Sequence, residues 1–131
     1  MYSMKEACTL TNMTYENLKF YCNEGLVPNV KRDHNNRRVF DEKDVKWIKD
    51  LTCLKKCGMS IQEMKKYLEL CLQGEATIVS RKKMLARKQE ELRASIKELE
   101  DSISYIGWKQ NFYDEVLSGK RPYVSNLIRT A

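Results

Sequence analysis

Apolar positions recur along this chain at helical spacing, in four short runs and one long one. The first run, from Ser3 to Thr11, sets Met4, Ala7, Cys8 and Leu10 toward one side. Asn12 follows, a residue that tolerates the left-handed backbone of a tight turn. Thr14 suits an N-cap, because its hydroxyl accepts a backbone N–H from the next turn. A second helix over Tyr15 to Asn23 carries Leu18, Tyr21 and Cys22 on one face, and Gly25 ends it. This spacing predicts a helix–turn–helix. Val30 and Val39-Phe40 then read as short strands about an Asn35-Asn36 turn. Asp41 starts a third helix, with the acids Glu42 and Asp44 in its first turn. Val45, Trp47 or Ile48, Leu51 and Leu54 form its apolar face, and Gly58 stops it. Ser60-x-x-Glu63 is a capping box for a fourth helix bearing Ile61, Met64, Leu68 and Leu72, which Gly74 ends.

The long run differs in period. From Thr77 to about Ser118, Ile78, Leu85, Leu92, Leu99, Ile106 and Tyr113 recur every seven residues. Gln89, Ile96, Ile103, Gln110 and Leu117 form a second row four positions on. Two such rows are the seam of a coiled coil. A helix of this length spans roughly 60 Å at 1.5 Å per residue, too far for a small head to cover. The seam therefore predicts self-association through Leu85, Leu92, Ile96, Leu99, Ile103, Ile106 and Tyr113, with the two glutamines fixing register. The organisation expected is mainly α: a winged helix-turn-helix head over residues 1–75, a dimerisation helix over 76–119 and a short tail over 120–131.

Composition narrows the classes. With 131 residues, 42% of them hydrophobic, the chain supports one modest core. No apolar run approaches the ~20 residues of a membrane span. The first residues lack a secretory signal pattern, so a soluble, cytoplasmic protein is expected. The net charge of +6 favours an anionic partner. That charge is concentrated: Lys31, Arg32, Arg37 and Arg38 lie within eight positions, opposed only by Asp33. The five cysteines read as reduced thiols, since Cys53-x-x-x-Cys57 matches no zinc pattern. With His34 the only histidine, no nucleophile–base pair, phosphate loop or metal set assembles, so neither an enzyme nor a cofactor is expected.

Double-stranded DNA fits these features. Thr14, Tyr15, Asn17, Lys19 and Tyr21 form a candidate recognition helix, with the Asn17 amide suited to adenine and the others to phosphates or base edges. Taken alone, such a stretch is more often an ordinary amphipathic surface helix. The basic hairpin beside it adds the phosphate clamp that a groove-bound helix needs. Lys55 and Lys56 stand as a second clamp or as a solvated helix end. The competing class is an adaptor whose basic head binds protein or membrane.

The pattern as a whole resembles the MerR family of transcriptional regulators over about residues 2 to 70. Tyr2-Ser3-Met4-Lys5-Glu6 matches the family opening, and Thr14 through Tyr21 with Glu24-Gly25-Leu26-Val27-Pro28 matches its recognition helix and exit. Arg32, Arg38 and Phe40 match the wing, and Asp41 to Val45 with Gly58 to Ile61 match the second helix pair. Lys19 and Phe20 stand where the family has Arg and Tyr, Cys22 where Glu is common, and Asn12 and Asn36 where glycines are common. The resemblance implies an antiparallel dimer in which each head also packs on its partner's long helix. It implies reading of a pseudo-palindrome between promoter elements, with Phe40 among the DNA-contacting wing residues. RNA polymerase is then an indirect partner, through promoter distortion.

No Cys or His follows Cys71 before the tail ends, unlike the metal sensors of this family. The chain is closer to the thiol-based, aldehyde- and electrophile-responsive group, whose marker cysteine falls at Cys53. The run Gly74-Glu75-x-Thr77 followed by Arg81-Lys82 also resembles that group. Lys49, Lys55 and Lys56 flank Cys53, and Cys57 is a candidate resolving thiol. The alternative is that Cys53 is an inert core residue.

Overall fold

The computed structural model describes residues 1–129. A two-residue strand, β1 (Tyr2–Ser3), leads directly into α1 (Met4–Thr11). Ser3 caps α1 through a capping box with Glu6. Asn12 takes the left-handed conformation at φ 55° and returns its N–H to the last turn. Thr14 then caps α2 (Tyr15–Asn23), its hydroxyl accepting the Asn17 N–H at 3.2 Å.

The wing is β2 (Lys31–Arg32) and β3 (Arg38–Phe40), antiparallel, with Arg32 opposite Arg38. Val30, expected in the first strand, lies just before it. β1 adds to the other edge of β3, with Tyr2 opposite Phe40, so the sheet order is β1-β3-β2. This long-range pairing ties the start of the chain to the wing. Two helices follow, α3 (Glu42–Lys56) and α4 (Ile61–Leu72), each with a capping box, Asp41 with Asp44 and Ser60 with Glu63. A short 3-10 turn over Gly74–Thr77 leads into α5 (Ile78–Leu117), an uninterrupted helix of 40 residues.

Two compact units result, residues 1–89 and the stretch from Glu90 onward. In the first, Ala7, Leu18, Tyr21, Leu26, Val27, Phe40, Val45, Ile48, Leu51, Met59 and Met64 form the buried cluster. Burial of such side chains contributes roughly 1.5–3 kcal/mol each against exposure. Trp47 packs at the edge and donates its indole N–H to the Leu26 carbonyl at 2.7 Å, pinning the loop after α2 to α3. Leu10, expected inward, is instead exposed. The unit runs past residue 75 because the first turns of α5 belong to it. Met84 packs on the core, and the Lys88 ammonium reaches Glu63 at 3.1 Å and the Gly58 carbonyl at 3.4 Å.

Among the described residues the second unit has no buried side chain, and no residue of α5 is buried. Its aromatic side chains stack on one another, Tyr105 on Trp108 at 6.3 Å and Trp108 on Phe112 at 6.1 Å. Past the helix end the chain turns at Gly119 (φ +83°), and Arg121 comes back to pair with Glu115 at 2.8 Å and lie over the Phe112 ring.

Candidate nucleic-acid interface

Helix α2 presents its outer face beside the wing. Leu18 and Tyr21 point inward, and at about 100° per residue the opposite pole falls near Glu16 and Asn23, with Lys19 and Phe20 within about 50° of it. Tyr15, Asn17 and Lys19 are exposed, as a groove-reading helix requires. Two of the aromatic residues expected to contact DNA do not face solvent. Tyr21 is 2% exposed and Phe40 is 0% exposed. Both are core residues, and burial pushes the Tyr21 phenol up from its ordinary range. Their part is to seat α2 and the wing on a common core. Residue type alone does not single out Glu16, Phe20 and Asn23; the inward set Leu18/Tyr21, extended round the helical wheel, locates them.

The wing tip is set by Asp33. Its carboxylate accepts the backbone N–H groups of Asn35 at 2.9 Å and Arg37 at 3.0 Å. Asn36 sits at φ 60°, a conformation that its short polar side chain tolerates. Arg32 reaches the Asn36 carbonyl at 3.0 Å, and Arg38 donates to the Asn23 side chain at 2.6 Å. The Arg38–Asn23 bond ties the wing to the end of α2. Arg32, Arg37 and Arg38, together with Lys5, Tyr15 and the Ser3 start of α1, line a cleft of about 520 Å³. Asp33 is the one acid among its lining residues. A cleft with four cations and the amino end of a helix suits the sugar–phosphate backbone.

Lys31 is placed differently from the arginines. Its ammonium lies 2.9 Å from Asp41 and 3.4 Å from the buried Asp44, and donates to the Asn29 carbonyl at 3.0 Å. The hydrogen bond to Asp41 raises the Lys31 pKa. The same bond, with the Asp44 backbone N–H, holds the Asp41 carboxyl down at about 2. Lys31 thus braces the start of α3 with its charge already matched. Lys55 lies over the Tyr21 ring at 5.9 Å, and Lys56 is exposed. Both stand in the last turn of α3, where cations offset the helix dipole.

Cys53 is exposed on α3, which removes the reading of it as a core residue of this chain. Cys57 is half-buried one turn on, and its N–H donates to the Cys53 carbonyl at 3.1 Å. Cys8 and Cys22 pack against the core, where burial pushes both thiols up. The Arg81 guanidinium lies 3.9 Å from the Cys71 sulfur. Among the described residues no three metal-ligating side chains come together, and no helix is long and apolar enough to cross a membrane. The seam residues Leu85, Leu92, Ile96, Leu99, Ile103, Ile106 and Tyr113 are between 39% and 69% exposed, and Leu117 at the helix end is 85% exposed.

A capped helix–turn–helix, a basic wing pinned to its second helix and a long helix later in the chain are the parts of a winged-helix DNA-binding regulator. The comparisons with known proteins agree. Residues 2–71 match the model of the MerR HTH family regulatory proteins, and residues 45–106 match a second model described as "MerR, DNA binding". An HTH-type transcriptional regulator of Haemophilus influenzae is 32% identical over 114 residues, covering 87% of this chain and 84% of its own. The transcriptional regulator AdhR of Bacillus subtilis is 36% identical over 80 residues, 61% of this chain and 57% of its own. Among solved structures, HiNmlR, a MerR family regulator lacking the sensor domain and bound to promoter DNA, superposes with a TM-score of 0.72. That match is 32% identical and covers 89% of this chain and 93% of the other. The chain belongs to the MerR family of DNA-binding transcriptional regulators, and its likeness is to the NmlR and AdhR members. The families and relatives matched are regulators, not enzymes.

Proposed function

We propose that two copies of this chain pair through α5 in antiparallel fashion and bind a pseudo-palindromic promoter operator, one head on each half-site. The observation that carries this reading is the exposure of the whole α5 seam in a chain whose head carries a cation-lined cleft. An isolated helix with such a seam loses its apolar surface to water unless a second helix covers it. Two heads fixed by one rod meet two half-sites at a set spacing, which is how a dimer reads a palindrome. In this reading Arg32, Arg37 and Arg38 clamp phosphates, while Thr14, Tyr15, Asn17 and Lys19 face the groove. Residues 1–75 supply the DNA-binding domain, 76–119 the dimerisation helix and 120–131 a short C-terminal tail. Lys55 and Lys56 are a secondary phosphate clamp. Each head also rests on its partner's α5, so a change in head–helix packing alters the angle between heads. Bending a bound duplex by 40–90° costs of order 1–6 kcal/mol, so a small packing change shifts promoter geometry, and polymerase reads the result.

The proposed trigger is Cys53. Its exposure gives reagents access. Addition of the thiol to an aldehyde forms a C–S bond while the proton goes to the carbonyl oxygen, and no oxidant is needed. Oxidation by a peroxide is a second route: the Cys53 sulfur takes one peroxide oxygen as the O–O bond breaks and water or an alcohol leaves, and the Cys57 thiol can then form the S–S bond with loss of water once the helix end opens. Footprinting on the promoter beside the gene, with wild type and Cys53→Ala, each with and without a small aldehyde, tests the reading. A symmetric footprint that gains central distortion only in treated wild type is expected. A footprint indifferent to treatment leaves the DNA function and removes the switch. Absence of any footprint at moderate salt favours the adaptor class.

A further inference from the structure

The outer pole of α2 carries an apolar ring. Phe20 is 46% exposed, and its ring lies 6.3 Å from the tilted ring of Tyr21. Its neighbours at that pole are polar. Asn23 is occupied by Arg38 at 2.6 Å, and Lys19 and Glu16 are charged. Asn17 lies three residues earlier, a surface neighbour on the same helix. A tyrosine here would offer a hydroxyl to a phosphate; Phe20 offers none. It can gain only by covering apolar surface, and the apolar feature of base edges in the major groove is the thymine 5-methyl group.

We propose that Phe20 is a specificity-determining residue that packs on the 5-methyl of a thymine in each operator half-site. This rests on the reading that α2 enters the major groove. Asn17 beside it carries the amide that pairs with adenine, so the two side chains together select A·T pairs at this point of the half-site.

The test uses the full chain and the duplex defined by footprinting. Each thymine is replaced in turn by deoxyuridine, symmetrically in both half-sites, and affinity is read by fluorescence anisotropy. Removing one buried methyl group is expected to weaken binding roughly fourfold per half-site, and so about fifteenfold for the symmetric duplex. One position is expected to show this in wild type. Phe20→Ala is expected to bind the thymine duplex more weakly and to lose discrimination at that position alone, while Phe20→Leu retains it. Phe20 is exposed, so melting curves of the variants should match wild type. A selective complex in which no thymine methyl matters, or in which Phe20→Ala discriminates like wild type, overturns the proposal while leaving the DNA reading intact. Failure of wild type to select any duplex overturns both.

Discussion

The head and the long helix use the same apolar side chains to opposite ends. Leu18, Ile48 and Leu51 vanish into the first unit, while Leu92, Leu99 and Ile103 stand in solvent along α5 at 39–69% exposure. The difference lies in arrangement. Helices α1 to α4 are short and capped, joined by tight turns within each pair and by the wing between the pairs, so each apolar face finds another within its own chain. A helix of 40 residues outruns any such neighbour. An apolar stripe that cannot be buried internally is a statement about a second molecule.

The sharpest way to break the comparison is to charge the seam. In the proposed dimer, Leu92→Asp would place two carboxylates in a symmetric interface. Deleting a buried Leu side chain alone costs about 2–5 kcal/mol, and the buried charge adds to it. Sedimentation should find monomers at micromolar concentration, and operator affinity should fall by at least about a hundredfold, since each 1.4 kcal/mol is a factor of ten. Thermal melting of the head should be unaffected. The same substitution at Leu18 should unfold the head instead.

Within the head, the arginines and Lys31 make a second, smaller contrast. Arg38→Ala should weaken DNA binding and lower the slope of log affinity against log salt by about 0.9 for each phosphate no longer neutralised. Lys31→Met should leave that slope nearly unchanged and lower the melting temperature slightly instead, because so exposed a pair is largely screened by solvent. The pH dependence follows from the depressed Asp41 carboxyl. Its folded value of about 2 lies below the ordinary 3.8, so its contribution is complete above pH 3.8 and is lost as pH falls toward 2. Acid titration of stability should show that loss in wild type and a flatter curve in Lys31→Met.

The smallest expected effect is at Gly107. It lies mid-helix, has no positive φ, and an added Cβ would meet nothing within 4 Å. Gly107→Ala should raise the melting temperature, by roughly 0.5–1 kcal/mol of helix stability. A drop in melting temperature on substitution would mean that another backbone approaches there.

Much of the fold is legible in the sequence because its signals are local. Thr14, Gly25 and the Ser60–Glu63 box each mark a boundary within a few residues, and α5 declares itself by period. The misses are long-range. β1 is two residues long and gains its identity only from Val39 and Phe40, far along the chain. The Asp41–Asp44 box escapes a pattern built on Glu or Gln. Tyr21 and Phe40 carry chemistry that suits DNA and cores alike, so residue type alone does not reveal that both face inward. Lys31 sits in a basic run, yet Asp41 and Asp44 neutralise it, and only the folded wing brings them within reach. Phe20 escapes notice because an exposed aromatic has no polar signature.

In the proposed assembly, two heads on one rod read one duplex. Sedimentation equilibrium of the full chain with the footprinted operator, beside a duplex holding a single half-site, measures this directly. Two chains per full operator are expected, with the half-site duplex bound far more weakly by the same dimer. One chain per operator, or equal affinity for full and half sites, would contradict it.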